Sequence, residues 1–447
     1  MSEVLGPESR PEGRQSIPEG VNMSHASNGK RKSLALLHIR NFRFLWGGTI
    51  LSNAASWIQQ IALNWLVYNL TGSGTMLATI NMVWAASSLV MIPFAGVLID
   101  CVNHRNLLLV KNLWLFTIAL GLGLILIFGR SHIFYLFIFA FLGGLTQTLD
   151  QTLEQVAIFD LVPRAETLNA EALIQTGWAI TRSFGPAIGG FLILWFGPGG
   201  NFLVQAGAYA LITITIMQLQ FPAQEFCVIW GSPLENMRKG IRYVMKEPIT
   251  RTFMLIGFIL PLFTIPIFTI LPTIYAVKVF HGGANVLGIL LGSIGVGGIF
   301  GGVATASLAR LERQGLVQLV SLFLLSLSIM AFAFSTKLWV AIPLLSLGGF
   351  FEAIFLITNQ TLLQLSIPQG IRGRVTSVLS LAAALSLLGS LMGGVGSDLL
   401  GGPKMITIVL AGIAASMAIF VLFASSTVRN YRLSQGIASN ATTTPLE

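Results

Sequence analysis

The chain has 447 residues, of which 54% are hydrophobic and only 10% charged, with a mean hydropathy of +0.78. Soluble domains carry about 25% charged residues, so this composition excludes an ordinary water-soluble protein. The formal net charge of +9 raises the question of a nucleic-acid partner, but where the cations sit along the chain answers it differently.

Residues 1–35 are polar, rich in Glu, Pro, Ser and Gly, and lack the apolar core of a signal peptide. They read as a disordered tail on the cytoplasmic side, in which Met23 offers a second start position. Apolar runs of about 20 residues follow, the length that crosses ~30 Å of hydrocarbon. Six are placed at roughly 44–68, 76–99, 106–128, 133–157, 169–195 and 201–220. Six more lie at roughly 252–277, 285–309, 315–334, 338–365, 374–399 and 404–424. The first six form an amino-terminal bundle over 36–220 and the last six a carboxy-terminal bundle over 252–425. Residues 221–251 link them, and 426–447 form a second polar tail. With both termini in the cytoplasm, 21 of the 26 Lys and Arg residues fall on the inner side and four on the outer, and Arg182 lies within a span. This follows the positive-inside rule and accounts for the basicity without nucleic acid. The multi-pass chain is therefore expected in the cell membrane as a monomer, with the lipid bilayer as its main partner. Cys101 and Cys227 both fall in inner gaps and suggest neither a disulfide nor a metal site.

The polar residues inside the spans are patterned. On span four, Gln147, Asp150, Gln151 and Glu154 share one helical face. Span one carries a stripe of Asn53, Trp57, Gln60 and Asn64, and span ten carries Glu352, Asn359 and Gln360. Charge inside a membrane costs roughly 2.5–3.5 kcal/mol per group on insertion scales, so such residues pair, line a wet cavity or do chemistry. Asp150 and Arg182 lie within reach of each other if spans four and five are neighbours, which suggests an ion pair. Glu154 reads as a wetted acid near the cytoplasmic mouth, four residues from Asp150. Glu352 sits near the middle of span ten with no Lys or Arg close in sequence, and an unpaired acid there is expected to be protonated at rest. Asp398, near the outer end of span eleven, reads as a helix cap. Span seven carries Pro261, Pro266 and Pro272, which would break or bend it. Weak internal symmetry is visible: Pro163-Arg164 after span four is repeated 205 residues later by Pro368 with Arg372 and Arg374 beyond it, the six-plus-six plan of many carriers.

Four stretches carry a family resemblance. They are Ser52 to Gln60 continuing through Leu66 to Ser73, Gly96-Val-Leu-Ile-Asp100-Cys-Val-Asn-His104-Arg105, Asp150 to Pro163 with Gly185-Pro186-Ala-Ile-Gly189-Gly190, and Arg372-Gly-Arg374-Val. In these the chain resembles the major facilitator superfamily, in the branch of enterobactin exporters and macrolide-efflux proteins, over about residues 36–425. The resemblance implies an all-α membrane protein of twelve transmembrane helices in two pseudo-symmetric six-helix bundles. It also implies a central cavity lined by spans one, four, seven and ten, and transport by alternating access. Asp100, Arg105, Arg372 and Arg374 would form a cytoplasmic gate, weakened because Cys101 and His104 replace basic residues of the family pattern. Gly185, Pro186, Gly189 and Gly190 match part of an antiporter motif and favour export over import. The substrate cavity would draw on Asn53, Trp57, Gln60, Asn64, Gln147, Gln151, Asn359 and Gln360. Protons would be the coupling ion, carried by Glu352 with Asp150 or Glu154 and tuned by Arg182. The expected substrate is a small amphipathic molecule such as a drug, macrolide or siderophore, with import or lysolipid flipping as the alternative within the fold. A membrane-embedded enzyme or receptor is the remote alternative, since the His residues at 25, 38, 104, 132 and 281 have no metal-site spacing and no cofactor motif is present.

Overall fold

The computed structural model describes residues 36, 39–129, 131–162, 166–219, 233–308, 311–367, 375, 378 and 381–429. Among them all regular structure is helical. In chain order the helices are α1 (Arg40–Thr71), α2 (Gly74–Cys101), α3 (His104–Ile127), α4 (Ile133–Leu161) and α5 (Thr167–Met217), then α6 (Pro233–Lys246), α7 (Pro248–Lys278), α8 (Ala284–Leu308), α9 (Gln314–Ala333), α10 (Leu338–Leu365), α11 (Leu381–Leu399) and α12 (Pro403–Ala424). Nine helices among the described residues are long and apolar enough to cross a membrane. Many large apolar side chains face outward, among them Trp339, Phe128, Phe423 and Phe420. In water such a surface would drive aggregation; in a bilayer it faces hydrocarbon.

At 1.5 Å per residue, α5 would run about 75 Å if straight, more than twice the hydrocarbon thickness. It does not run straight. Gly197 adopts φ 69° and ψ 175°, a conformation open to glycine and strained for other residues. Pro198 follows it and starts the second limb. The limbs, 167–196 and 198–217, fold back on one another, so Asn201 Nδ2 on the second limb reaches the Ile58 carbonyl of α1 at 3.1 Å. Buried Gln205 donates to Gln59 of α1, and Trp46 Nε1 donates to Leu173 O on the first limb at 3.0 Å. These bonds fix α1 between the two limbs.

In the first half α2 packs on α4, and α3 on α5; in the second half α8 and α9 both pack on α10, and α9 on α12. The halves meet along α5 with α8 and α2 with α11. The two halves repeat one packing device. Leu142-Gly143-Gly144 of α4 recurs 205 residues later as Leu347-Gly348-Gly349 of α10. A Cβ on Gly144 would overlap the Trp84 carbonyl of α2, and one on Gly349 would overlap the Ile294 carbonyl of α8. The internal repeat thus extends to the backbone contact it serves.

As its prolines require, α7 is interrupted. A π-turn occupies Leu260–Thr264, and helical pieces resume at Ile265–Thr269 and Leu271–Lys278. Glycines of α11 rest on this irregular backbone: a Cβ at Gly389 would stand 2.5 Å from the Leu262 carbonyl oxygen.

The buried apolar residues form two clusters. The larger includes Ile61, Leu77, Leu136 and Phe202 of the first half with Leu271, Ile274, Leu287 and Leu410 of the second. The smaller, with Phe42, Leu107, Leu153, Ile174 and Ile212, draws on the first half alone. The first-half members of the shared core lie toward the end of the molecule that carries Asp398, whereas its second-half members run the length of that half, as far as Phe253, Ile367 and Val428; the unshared cluster lies toward the end that carries Asn103.

Candidate functional site

The cross-half ties run from the Asp398 end down to mid-depth. At the rim, Asp398 caps α2: its Oδ2 accepts from Ser73 Oγ at 2.7 Å and from Thr75 N and Oγ1 at 2.8 Å, and its Oδ1 accepts from Gly74 N at 2.9 Å. The cap expected of Asp398 is therefore present, but it serves a helix of the other half. A carboxylate over a helix N-terminus satisfies orphan N–H groups and complements the positive end of the dipole. Below it, Asn64 Nδ2 donates to the Thr269 carbonyl at 3.4 Å and Asn64 Oδ1 accepts from Asn81 at 2.9 Å.

At mid-depth sits an ion pair. One guanidinium nitrogen of Arg182 (Nη2) donates to both carboxylate oxygens of Glu352, at 2.8 and 2.9 Å. Glu352 is the fifteenth of the 28 residues of α10, and Arg182 is near the middle of the first limb of α5. The Glu352 side chain is 7% exposed and that of Arg182 44%, so the cation forms the wetted side of the pair. This overturns two expectations. Glu352 is not an acid without a cation, and Arg182 does not pair with Asp150. Spacing along the chain carries no information about which distant helix lies alongside.

The bridge between them is α8. A Cβ at Gly295 would overlap the Ser183 backbone of α5, and those at Gly297 and Gly301 would overlap the Ser346 and Phe350 carbonyls of α10. Lacking side chains on both sides, α8 is thin enough for α5 and α10 to approach across it. The Gly185-to-Gly190 motif does the same work on the α5 side. Gly185 lies against Trp57 and Gly189 against Ile58, both of α1, while a Cβ at Gly190 would stand 2.5 Å from the Ala284 carbonyl oxygen of α8. One at Gly288 would stand 2.8 Å from the Pro186 carbonyl oxygen.

A second ionic group lies in the first half. Asp150 pairs with Lys111 of α3, whose side chain is 3% exposed against 22% for Asp150. By its place in the sequence Lys111 counts among the 21 inner-side cations. It lies instead in the second turn of an apolar helix, seven residues past the start of α3, and that depth was the available signal. Glu154 is buried rather than wetted at a mouth; it lies beside Lys111, Asp150 and the Trp178 indole.

The remaining sequence candidates divide. Gln147 accepts from Trp84 Nε1. Asn53 bonds the Thr49 carbonyl of its own helix at 3.0 Å, and Gln60 is half-buried while Gln360 is exposed. Asn359 is buried inside the second half, where its Oδ1 accepts from Gln318 Nε2 of α9 at 2.6 Å and its amide lies against Gly257 of α7. Arg105 Nη2 donates to the Met217 carbonyl at 2.6 Å, capping the end of α5 within the same half. His104 Nε2 lies 3.0 Å from the Ile99 carbonyl oxygen. Asp100, Gln151, Arg372 and Arg374 were also expected site residues; the side chains of Asp100 and Gln151, and all of Arg372 and Arg374, lie outside the described residues.

Two helical halves that share an apolar core and are joined at mid-depth by a part-wetted ion pair have the architecture of a major facilitator transporter. Residues 31–446 match the family model described as transmembrane secretion effector, and the chain belongs to that family. It is 25% identical over 359 residues to the multidrug efflux pump Tap of Mycolicibacterium fortuitum, covering 78% of this chain and 87% of that one. It is also 25% identical to the staphyloferrin A transporter of Staphylococcus aureus, over 80% and 90% of the two chains. The enterobactin exporter EntS of Escherichia coli is 23% identical over 73% and 76%. Among solved structures, the fold is similar to a bacterial homologue of the lysosomal transporter Spinster in an inward-facing state, with a TM-score of 0.64, 13% identity and coverage of 91% and 99%. A D-xylose–proton symporter gives a TM-score of 0.65 at 13% identity, over 90% and 99%. The chain is thus a transporter and not an enzyme, and the family expected from its motifs is the one found.

Proposed function

We propose that this protein exports a small amphipathic molecule of the drug, macrolide or siderophore class, by alternating access driven by protons. The named relatives support this substrate range, being a drug efflux pump, a siderophore transporter and a siderophore exporter. The observation that carries the reading is the Arg182–Glu352 pair. It spans the two halves at mid-depth, where a substrate that competes for either partner alters the tie between them. In this reading twelve segments cross the bilayer: the nine long apolar helices with α5 counted as two limbs, together with α1 and α11. Residues 36–220 and 252–425 are the two bundles, 221–251 the linker, and both tails are cytoplasmic. The protein works as a monomer and needs no cofactor. The shared core and the Asp398 cap support a state closed to the outside and open to the cytoplasm, with Gln147, Gln60, Trp57 and Gln360 available to polar groups of the substrate.

The test is an accumulation and susceptibility panel of macrolides, cationic dyes and siderophores in an efflux-deficient bacterial host. Wild type should lower accumulation of at least one compound, and both a protonophore and Glu352→Gln should abolish that effect. A wild-type protein that lowers none, or one that raises uptake, removes export in favour of import or lipid transport.

A further inference from the structure

The internal repeat allows the two halves to be compared at the position of the buried Glu154. The 205-residue offset set by the Leu-Gly-Gly repeat places Glu154 opposite Asn359, Asp150 opposite Phe355, and Gln147 opposite Glu352. In the second half the site is neutral and satisfied, with Gln318 Nε2 of α9 donating to Asn359 Oδ1 at 2.6 Å. The corresponding helix of the first half is α3, and there the donor is Lys111. It is turned to Asp150, one helical turn away from Glu154. The first half therefore holds one cation and two carboxyl groups where the second holds two amides.

Glu154 is 9% exposed. Among the described residues, the titratable groups around it are Lys111 from α3, Asp150 from α4 itself and the Tyr209 phenol from the second limb of α5. The first limb of α5 presents Trp178, whose buried Nε1 has no hydrogen-bond partner among the described residues. Nearby on α3, Asn112 Oδ1 is also buried without a partner. With both acids ionised the cluster carries one uncompensated negative charge away from water. A desolvated charge without a counter-charge is the most unfavourable arrangement available to it, and uptake of a single proton removes it.

We infer that Glu154 is the proton-binding carboxyl of this carrier and that Lys111 is its positioning residue, shared between Asp150 and Glu154. With the proton on Glu154, Lys111 stays on Asp150, as the structure shows. When Glu154 releases the proton to water, Lys111 moves one turn toward it, into the arrangement that Gln318 and Asn359 already display in the other half. The proton site is then separate from the Arg182–Glu352 tie, which stays ionic. This assignment rests on the proton-coupled reading above, and names the acid that reading leaves open.

The test is an infrared pH titration of the full-length protein in lipid nanodiscs, following the carbonyl stretch of a protonated carboxylic acid in an apolar setting. Wild type should show this band at neutral pH and lose it on alkalinisation. Glu154→Gln should lack it, Glu352→Gln should keep it, and Lys111→Met should enlarge it, because the second acid then protonates too. Glu154→Asp should restore a shifted band, which separates a proton site from a merely structural carboxyl. Persistence of the wild-type band in Glu154→Gln, or its absence from wild type at every pH, overturns the assignment. If the band behaves as stated while export in the susceptibility panel ignores the protonophore, the coupling reading fails and the proton site stands.

Discussion

Arg182 is the one cation placed at the middle of a span by sequence alone, and its partner decides how the halves are joined. Asp150 is close to it in sequence and Glu352 is 170 residues away, yet the pair forms with Glu352. The presence of charge at this depth was legible, because hydropathy exposes any ionisable residue inside an apolar run. The pairing was not, because it depends on α8 being thin enough to let α5 and α10 meet. Lys111 shows the complementary blind spot: near the end of a span it resembles a loop cation until its side chain is seen to be buried. The two partners of the central pair should be coupled. Arg182→Gln and Glu352→Gln should each lower the melting temperature in detergent, and the double variant should recover part of the loss, with an interaction energy of about 0.5–3 kcal/mol, the range for contacting pairs. Additive single and double effects would show that the pair contributes nothing to the folded state.

At the scale of the helix, glycine placement separates contacts that must be tight from those that are free. A Cβ at Gly297 collides with a carbonyl of α10, whereas Gly412 of α12 has nothing within 4 Å. Gly297→Ala should therefore destabilise by about 1–3 kcal/mol, as overpacking does, and Gly412→Ala should be neutral or slightly stabilising through helix propensity. Thermal melting of the two variants side by side checks this. The Asp398 cap gives a prediction of a different kind. Asp398→Ala removes four accepted hydrogen bonds at the N-terminus of α2, and a lost N-cap costs roughly 1 kcal/mol. Because the cap joins the halves, the loss should favour opening at that end by about five-fold. Spin labels on Leu70 and Leu400, both exposed, would report it as a growing population of longer distances. The sequence announced an acid at the end of span eleven and a serine–threonine run before span two, but two short polar signals on different halves do not declare that they meet.

For the molecule as a whole, the helix positions and the repeat were readable because both follow from periodic hydropathy and small-residue spacing. The state of the carrier was not, since no sequence pattern says which end of a two-ended machine is shut. In the state proposed above, a cysteine replacing the exposed Gln147 in a background lacking Cys101 and Cys227 should react with a membrane-impermeant thiol reagent in inside-out vesicles and resist it in intact cells. Equal labelling from both sides would contradict the closed outer end. The glycine contacts between α5 and α8 carry a last consequence. From Ser183 to Gly190 backbone meets backbone, with little interdigitation of side chains to unlock. Packed ridges and grooves resist rotation because each step must lift knobs out of holes. A smooth seam has few such steps, so it acts as a bearing about which the halves can roll with little friction. In the alternating-access reading proposed above, the pace of the cycle would then be set at the two catches, the rim carboxylate of Asp398 and the central pair, and little by the long seam between them.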